Sequence, residues 1–148
     1  MLADDHNVIV IQADINDVES IFTNPDLQAV LDLDRPFAII ASSILHHLDD
    51  GQARAAAAGL RAAMSPGSYF MAAILLDDDE DRAKELEQAF LSGGLGTGRF
   101  RSWAEFNEFF EGLELVEPGL VYADEWRPDA QTPASSPVQT LYAVGIAH

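Results

Sequence analysis

Apolar and polar residues alternate along the chain in blocks that predict strands and helices in turn. Residues 37–41 form a continuous apolar run that is typical of a parallel strand covered on both faces, and residues 68–76, the most hydrophobic segment, predict another buried strand. Residues 8–13 form a β-branched run that also favours a buried strand. Two later segments, 120–123 and 140–146, bring the predicted total to about five strands. This order predicts an α/β fold.

Between the strands, hydrophobic residues recur at helical spacing. The spacing predicts a first helix at 18–22 and a second that begins at Pro25, after Asn24. A third is predicted over 51–64, capped by Asp49 or Asp50, and a fourth after the acidic run 77–81. The fifth is predicted to run from the capping box Ser102–Glu105 to Gly112. Buried positions are expected to be Ala53, Ala56, Ala57, Leu60 and Met64 in the third helix, Ala83, Leu86 and Phe90 in the fourth, and Phe106, Phe109 and Phe110 in the fifth.

The stretch from Arg35 to Asp50 carries the clearest functional signal. Its apolar strand opens at once into Ser42 and Ser43, followed by the adjacent histidines His46 and His47. In open α/β sheets, ligands bind at the carboxyl ends of the strands. These four side chains are therefore candidate site residues, although the serines are equally suited to satisfying backbone groups at the strand end.

Two other segments resemble sites but favour a structural interpretation. The acids 77–81 suit a helix N-terminus, and contiguous acids cannot all point at one metal ion. The glycine-rich residues 92–98 have no strand before them and no Lys-Ser/Thr after them, so a hinge or lid is favoured over a phosphate cradle. Residues 127–137, rich in proline and serine, predict a flexible loop.

Composition narrows the classes of partner. With 148 residues, 48% of them hydrophobic, the chain is predicted to form one soluble domain. The formal charge of −17 repels phosphate backbones and anionic lipids, so neither nucleic acid nor a membrane is an expected partner. No apolar run approaches the ~18 residues of a membrane span, and the first residues lack a signal-peptide pattern. Because cysteine is absent, disulfides and thiolate chemistry are excluded and the cytoplasm is the expected compartment.

Five segments carry a family resemblance across nearly the whole chain. They are residues 11–15 (Ile-Gln-Ala-Asp-Ile), 35–48 (Arg-Pro-Phe to His-His-Leu), 65–69 (Ser-Pro-Gly-Ser-Tyr), 109–121 (Phe-Phe-Glu to Gly-Leu-Val) and 126–129 (Trp-Arg-Pro-Asp). Together they resemble the actinobacterial S-adenosyl methyltransferase family, once catalogued as a domain of unknown function. The resemblance implies a class I, Rossmann-like methyltransferase fold with S-adenosylmethionine as cofactor.

The resemblance also implies site residues. Asp14 resembles the acid that hydrogen-bonds the adenine amine, with Ala13 and Ile15 flanking the ring; a helix N-cap is an equally good interpretation of Asp14. Ser42, Ser43 and the histidines match the segment that lines the cofactor and faces the substrate. Because adjacent residues cannot both point inward, one of His46 and His47 is expected to be packed or solvated, and the other is a candidate general base. No metal ligands are predicted, since adjacent histidines lack the i, i+4 spacing of a helical metal site.

The match departs from the family pattern at its beginning. The glycine-rich turn after the first family strand and the ribose-binding acid after the second have no counterpart here. The sequence therefore predicts a truncated fold with family strands in the order 3-4-5-7-6, the last strand antiparallel, and helices mainly on one face. Weak or absent binding of S-adenosylmethionine and a lack of activity by the chain alone follow as expectations.

With helices mainly on one face, the other face of the sheet would expose a larger apolar area than monomers usually do. A homodimer that packs through that face, or forms by strand exchange, is therefore expected. An intact enzyme would act on a small molecule. A non-catalytic dimerising or regulatory relative of a full-length methyltransferase is the alternative.

Overall fold

The computed structural model describes residues 8–94, 97–131 and 142–148, and their strands form one mixed sheet. The strands are β1 (Ala38–Ser42), β2 (Tyr69–Leu75), β3 (Val121–Tyr122) and β4 (Tyr142–Ala147), in the spatial order β1-β2-β4-β3. β1 and β2 are parallel, whereas β4 runs antiparallel to both β2 and β3. The predicted α/β class and the antiparallel last strand are confirmed.

The prediction of a strand at residues 8–13 is wrong. These residues belong to no strand and have no backbone hydrogen-bond partner within the described part of the chain, and Val10 is 89% exposed. A β-branched run forms a strand only where a neighbouring strand offers a ladder, and no described strand lies beside this run. The described sheet consequently has four strands, and the predicted five-strand order lacks its first member.

The described residues form five α-helices in addition to the sheet. They are α1 (Val18–Phe22), α2 (Pro25–Val30), α3 (Asp50–Ala62), α4 (Glu80–Ser92) and α5 (Trp103–Glu108). Local capping sets their starts: Asn24 caps α2, Asp49 and Gln52 form a capping box on α3, and Ser102 caps α5. The last helix is shorter than predicted, because the chain leaves α-helical geometry after Glu108 and reaches Gly112 through turns.

One face of the sheet carries the main core. Phe70, Ala72 and Ile74 of β2 are buried there. Against them lie Ala53, Ala56, Ala57 and Leu60 of α3, together with Phe106, Phe109 and Phe110 in and after α5. The predicted apolar stripe of α3 is confirmed, apart from Met64, which lies beyond the helix and is partly buried.

The opposite face is covered only in part. Ile40, Met71 and Ile146 are aligned across β1, β2 and β4. Ile40 is 71% exposed, and the other two are partly exposed. At the carboxyl end of β2, Leu75 forms a small second core with Ala83 of α4 and Phe100. We call the surface formed by Ile40, Tyr69, Met71 and Ile146 the open sheet face.

Two predicted loops are described only in part. Of the loop predicted at 127–137, residues 132–137 lie outside the described residues, as do residues 95 and 96 of the glycine-rich segment. In the part of the chain that the structure describes, no helix has both the length and the apolar character needed to cross a membrane.

Candidate functional site

The carboxyl end of β1 places two serines beside an open cleft. Ser42 is the last residue of the strand, and the backbone N–H of Ser43 continues the pairing by donating to Ala73 O at 3.2 Å. Ser43 has a φ of +54°, a left-handed conformation that non-glycine residues adopt rarely and that concentrates at functional sites. Both side chains are exposed, so their hydroxyls are free to meet a ligand.

This cleft has a volume of about 380 Å³ and lies on the open sheet face, next to the carboxyl end of β1. Its lining is mostly apolar and consists of Ser42, Ser43, Met71, Ala73, Ala123, Trp126 and Ile146. Ala123 begins a 3₁₀ turn, Ala123–Glu125, that brings Trp126 over the sheet. A pocket with a few polar groups at one end has the character of a small-molecule site.

The two histidines follow in a 3₁₀ turn, Leu45–His47, which we call the histidine turn. Their ring centroids are 4.2 Å apart, yet the side chains lie in opposite environments. His46 is 3% exposed, whereas His47 is exposed. Phe90 of α4 contacts both rings edge-on, with centroids at 6.0 and 6.2 Å.

His46 is poorly suited to accept a proton. Burial is the largest cause that lowers the pKa of His46, and together with the smaller effects of His47 and Arg101 it brings this pKa to about 4. Its Nδ1 is buried without a hydrogen-bond partner among the described residues. The ring is therefore neutral near pH 7.

His47 has the opposite character. Its Nδ1 lies 2.9 Å from the backbone carbonyl oxygen of Thr97. Because a carbonyl can only accept, Nδ1 carries the proton, and Nε2 of the neutral ring retains its lone pair. A histidine held in this tautomer can take a proton from a substrate at Nε2.

Arg101 was not predicted from the sequence as part of this site. It is 1% exposed, and its guanidinium donates to Leu45 O and Leu48 O on either side of the histidines. Burial lowers the pKa of Arg101, while the carboxylate of Asp50, 3.5 Å from Nε, raises it. Arg99 pairs with the same carboxylate at 3.1 Å and thereby lowers the pKa of Asp50. A short basic-aromatic alternation, Arg-Phe-Arg at 99–101, is the only sequence signal, and nothing in it indicates burial.

The predicted adenine-binding residues lie in a separate loop before α1. Asp14 Oδ1 accepts from Asn16 N at 2.9 Å and from Asn16 Nδ2 at 3.0 Å, and Ala13 is exposed. Ile15 packs against the main core. The alternative interpretation of Asp14 as a helix cap is wrong, because Asp17 caps α1. None of the described polar contacts joins this loop to the serines or the histidines.

Comparison with solved structures places the chain beside two bacterial proteins. A candidate methyltransferase from Thermobifida fusca is 35% identical, with a TM-score of 0.90 over 99% of this chain and 56% of that one. A DUF574 family protein from Streptomyces avermitilis is 33% identical, with a TM-score of 0.84 over 93% of this chain and 53% of that one. The chain thus spans just over half the length of both relatives.

A more distant match shows the fold alone. An O-methyltransferase family protein from Burkholderia thailandensis is 14% identical, with a TM-score of 0.55 over 93% of this chain and 34% of that one. The sheet and helices described above are therefore those of a class I methyltransferase fold. No curated protein matches the chain.

The family model described as S-adenosyl methyltransferase matches residues 1–148. This match covers the whole chain and agrees with the two solved relatives, as the resemblance in the sequence predicted. The chain belongs to the S-adenosyl methyltransferase family.

Proposed function

We propose that this chain supplies the acceptor-facing side of an S-adenosylmethionine-dependent methyltransferase site, with His47 as general base. The observation that carries the proposal is the hydrogen bond from His47 Nδ1 to Thr97 O, which leaves Nε2 of the neutral ring unprotonated. Ser42 and Ser43, at the carboxyl end of β1 and just before the histidine turn, line the apolar cleft.

The chemistry requires one base and good alignment. S-adenosylmethionine supplies an electrophilic methyl group on a sulfonium. As the acceptor oxygen or nitrogen forms its bond to that methyl, the carbon–sulfur bond breaks, and the acceptor proton passes to His47 Nε2. Positioning supplies most of the rate of such a displacement, and the base adds to it. His46 serves this scheme as a packed neighbour, since its low pKa makes it the weaker base.

The residues before α1 fit the adenine end of the cofactor. The exposed carboxylate of Asp14 can accept from an exocyclic amine, and exposed Ala13 can lie against a ring. Ile15 supports the loop from the core side, so its contribution to the adenine edge comes through its backbone.

We further propose that the 148-residue polypeptide binds this cofactor weakly and is inactive by itself. β1 pairs with β2 along one edge, and no described strand pairs with its other edge. None of the described strands leads directly into a glycine-rich turn that could hold the methionine end. The contacts that remain are those of the adenine edge and the acceptor side.

A second copy of the chain is the partner that we propose for the open sheet face. The aligned residues Ile40, Met71 and Ile146 carry no charge, although the chain as a whole has a formal charge of −17. Self-association through this uncharged patch does not place charged residues of the two copies against each other. The edge of β1 that pairs with no described strand would also allow the two copies to exchange strands. The methyl acceptor is proposed to be a small molecule, because the acidic surface disfavours nucleic acid.

Calorimetry with S-adenosylhomocysteine tests the proposed function. The polypeptide is compared with a chimaera that adds the part of the Thermobifida fusca protein outside the match. We expect no measurable binding by the polypeptide and clear binding by the chimaera. Tight binding by the polypeptide, or none by a folded chimaera, would contradict the proposal.

The role of His47 is tested in the same chimaera by the release of S-adenosylhomocysteine with a panel of phenols, carboxylic acids and amines. We expect His47→Gln to lower kcat by about a hundredfold or more, in the range of general-base catalysis. His148→Gln, which changes a histidine at the end of β4 far along the chain, is expected to leave kcat unchanged.

A further inference from the structure

The three backbone carbonyls of the histidine turn and that of Leu48, which follows it, each accept a hydrogen bond from residues 97–101. Arg101 Nη1 donates to Leu45 O at 3.0 Å, Arg99 N to His46 O at 2.7 Å, Thr97 Oγ1 to His47 O at 2.6 Å, and Arg101 Nη2 to Leu48 O at 2.7 Å. We propose that Arg101 is a positioning residue that fixes the orientation and tautomer of His47. This inference rests on the proposed role of His47 as the base.

The backbone of Arg101 is itself anchored to the sheet. Its N–H donates to Leu75 O at 3.0 Å, and its carbonyl accepts from Asp77 N at 3.1 Å. The guanidinium carbon lies 5.6 Å from the centre of the Phe109 ring, and Nε faces Asp50 Oδ1 at 3.5 Å. Arg101 thus connects the histidine turn to the end of β2 through a side chain that has almost no freedom to move.

Arginine suits this task because its planar fork carries several donors in a fixed geometry. Two of them reach carbonyls three residues apart, on either side of the histidines. A 3₁₀ turn has poor internal hydrogen bonding, so its geometry depends on donors from outside. Removal of the guanidinium leaves the carbonyls of buried Leu45 and Leu48 without these donors.

The tautomer of His47 depends on the distance between its Nδ1 and the carbonyl oxygen of Thr97. The bond from Nδ1 to Thr97 O forms only while the histidine turn and residue 97 keep their spacing. When Arg101 no longer holds the turn, that bond loosens and the proton can occupy either ring nitrogen. A ring protonated at Nε2 cannot accept the substrate proton at that atom.

Long-range ¹H–¹⁵N NMR of the histidine side chains tests the inference on the 148-residue chain without cofactor. In the unsubstituted chain we expect the proton of the neutral His47 ring to lie on Nδ1 and Nε2 to be unprotonated. In Arg101→Met, the two nitrogen shifts should converge as the tautomers mix. The matched control is Arg61→Met, which removes a part-buried arginine that donates to Phe109 O at 2.6 Å and does not touch the turn; it should leave both shifts unchanged.

A folded Arg101→Met chain with unchanged His47 shifts would overturn the proposal. If Arg101→Met fails to fold, Arg101→Lys replaces it, because an ammonium can satisfy only one of the two carbonyls well. A folded Arg101→Lys chain with unchanged shifts would also overturn the proposal.

In the chimaera, Arg101→Lys should lower kcat about tenfold and leave the KM for S-adenosylmethionine unchanged, whereas a general loss of structure would raise KM as well. If the NMR shifts change as expected while the chimaera transfers no methyl group, the proposed function fails and the positioning of His47 by Arg101 stands.

Discussion

His46 and His47 occupy adjacent positions but have different chemistry. The backbone turn buries one ring and leaves the other exposed with Nδ1 on Thr97 O, although Phe90 contacts both rings. The sequence predicted that the two would differ, because neighbouring side chains diverge. It could not predict which one is buried, since that depends on residues 43 to 55 positions later along the chain.

The burial of His46 makes the stability of the fold depend on pH. Its pKa falls from an ordinary 6.5 to about 4 on folding, so the unfolded chain binds more protons between these values. This contribution is fully present above pH 6.5 and is lost as the pH falls towards 4. Between pH 7 and pH 5 we expect a loss of about 2 kcal/mol in the free energy of unfolding.

Urea denaturation at several pH values checks this expectation. Between pH 5 and pH 7, the free energy of unfolding should change less with pH in His46→Gln than in the unsubstituted chain. His148→Gln changes an exposed histidine and should keep the original slope. An equal slope in all three chains would show that other groups cause the pH dependence.

At the scale of elements, helices were predicted better than strands. Capping boxes and helical spacing act within a few residues, so α2, α3 and α5 begin where the sequence indicates. The run at 8–13 has strand-forming residues, but none of the strands that the structure describes lies beside it or pairs with it. Residues 97–99 lack any periodic pattern, yet their donors hold the histidine turn.

The capping box of α3 gives a prediction at this scale. Asp49 Oδ1 accepts from Gln52 N at 2.8 Å, and Gln52 Oε1 accepts from Asp49 N at 3.1 Å. Asp49→Ala should lower the free energy of unfolding by about 1 kcal/mol, because an N-cap is lost from the helix that covers the sheet. Asp49→Asn, which also caps well, should retain most of the stability in the same urea titration. Equal losses in the two variants would contradict a capping role.

At the scale of the whole molecule, the sheet has one covered face and one open face. α3 and the phenylalanines around α5 bury the first, whereas Ile40 and Tyr69 on the open sheet face stay exposed at 71% and 47%. The free edge of β1 borders the same open face. These features support the proposed self-association.

Light scattering with size-exclusion chromatography checks the oligomer. We expect the mass of a dimer for the unsubstituted chain and a shift towards monomer in Ile40→Lys. Lysine reduces the formal charge from −17 to −16, so added repulsion between acidic chains cannot explain dissociation. Val30→Lys, at a residue of α2 that is 46% exposed, should leave the mass unchanged. A monomeric unsubstituted chain would contradict self-association.

The sequence by itself determined the α/β class, the family, the helix starts and the buried stripe of α3, because caps, hydrophobic periodicity and motifs are written in neighbouring residues. The tertiary structure alone decided that residues 8–13 form no strand and that His46 is buried while His47 is exposed. It also decided that Arg101 donates hydrogen bonds to the carbonyls of Leu45 and Leu48, on either side of the two histidines. These outcomes depend on contacts between residues far apart in the chain, where burial and hydrogen-bond partners are set by which elements pack together.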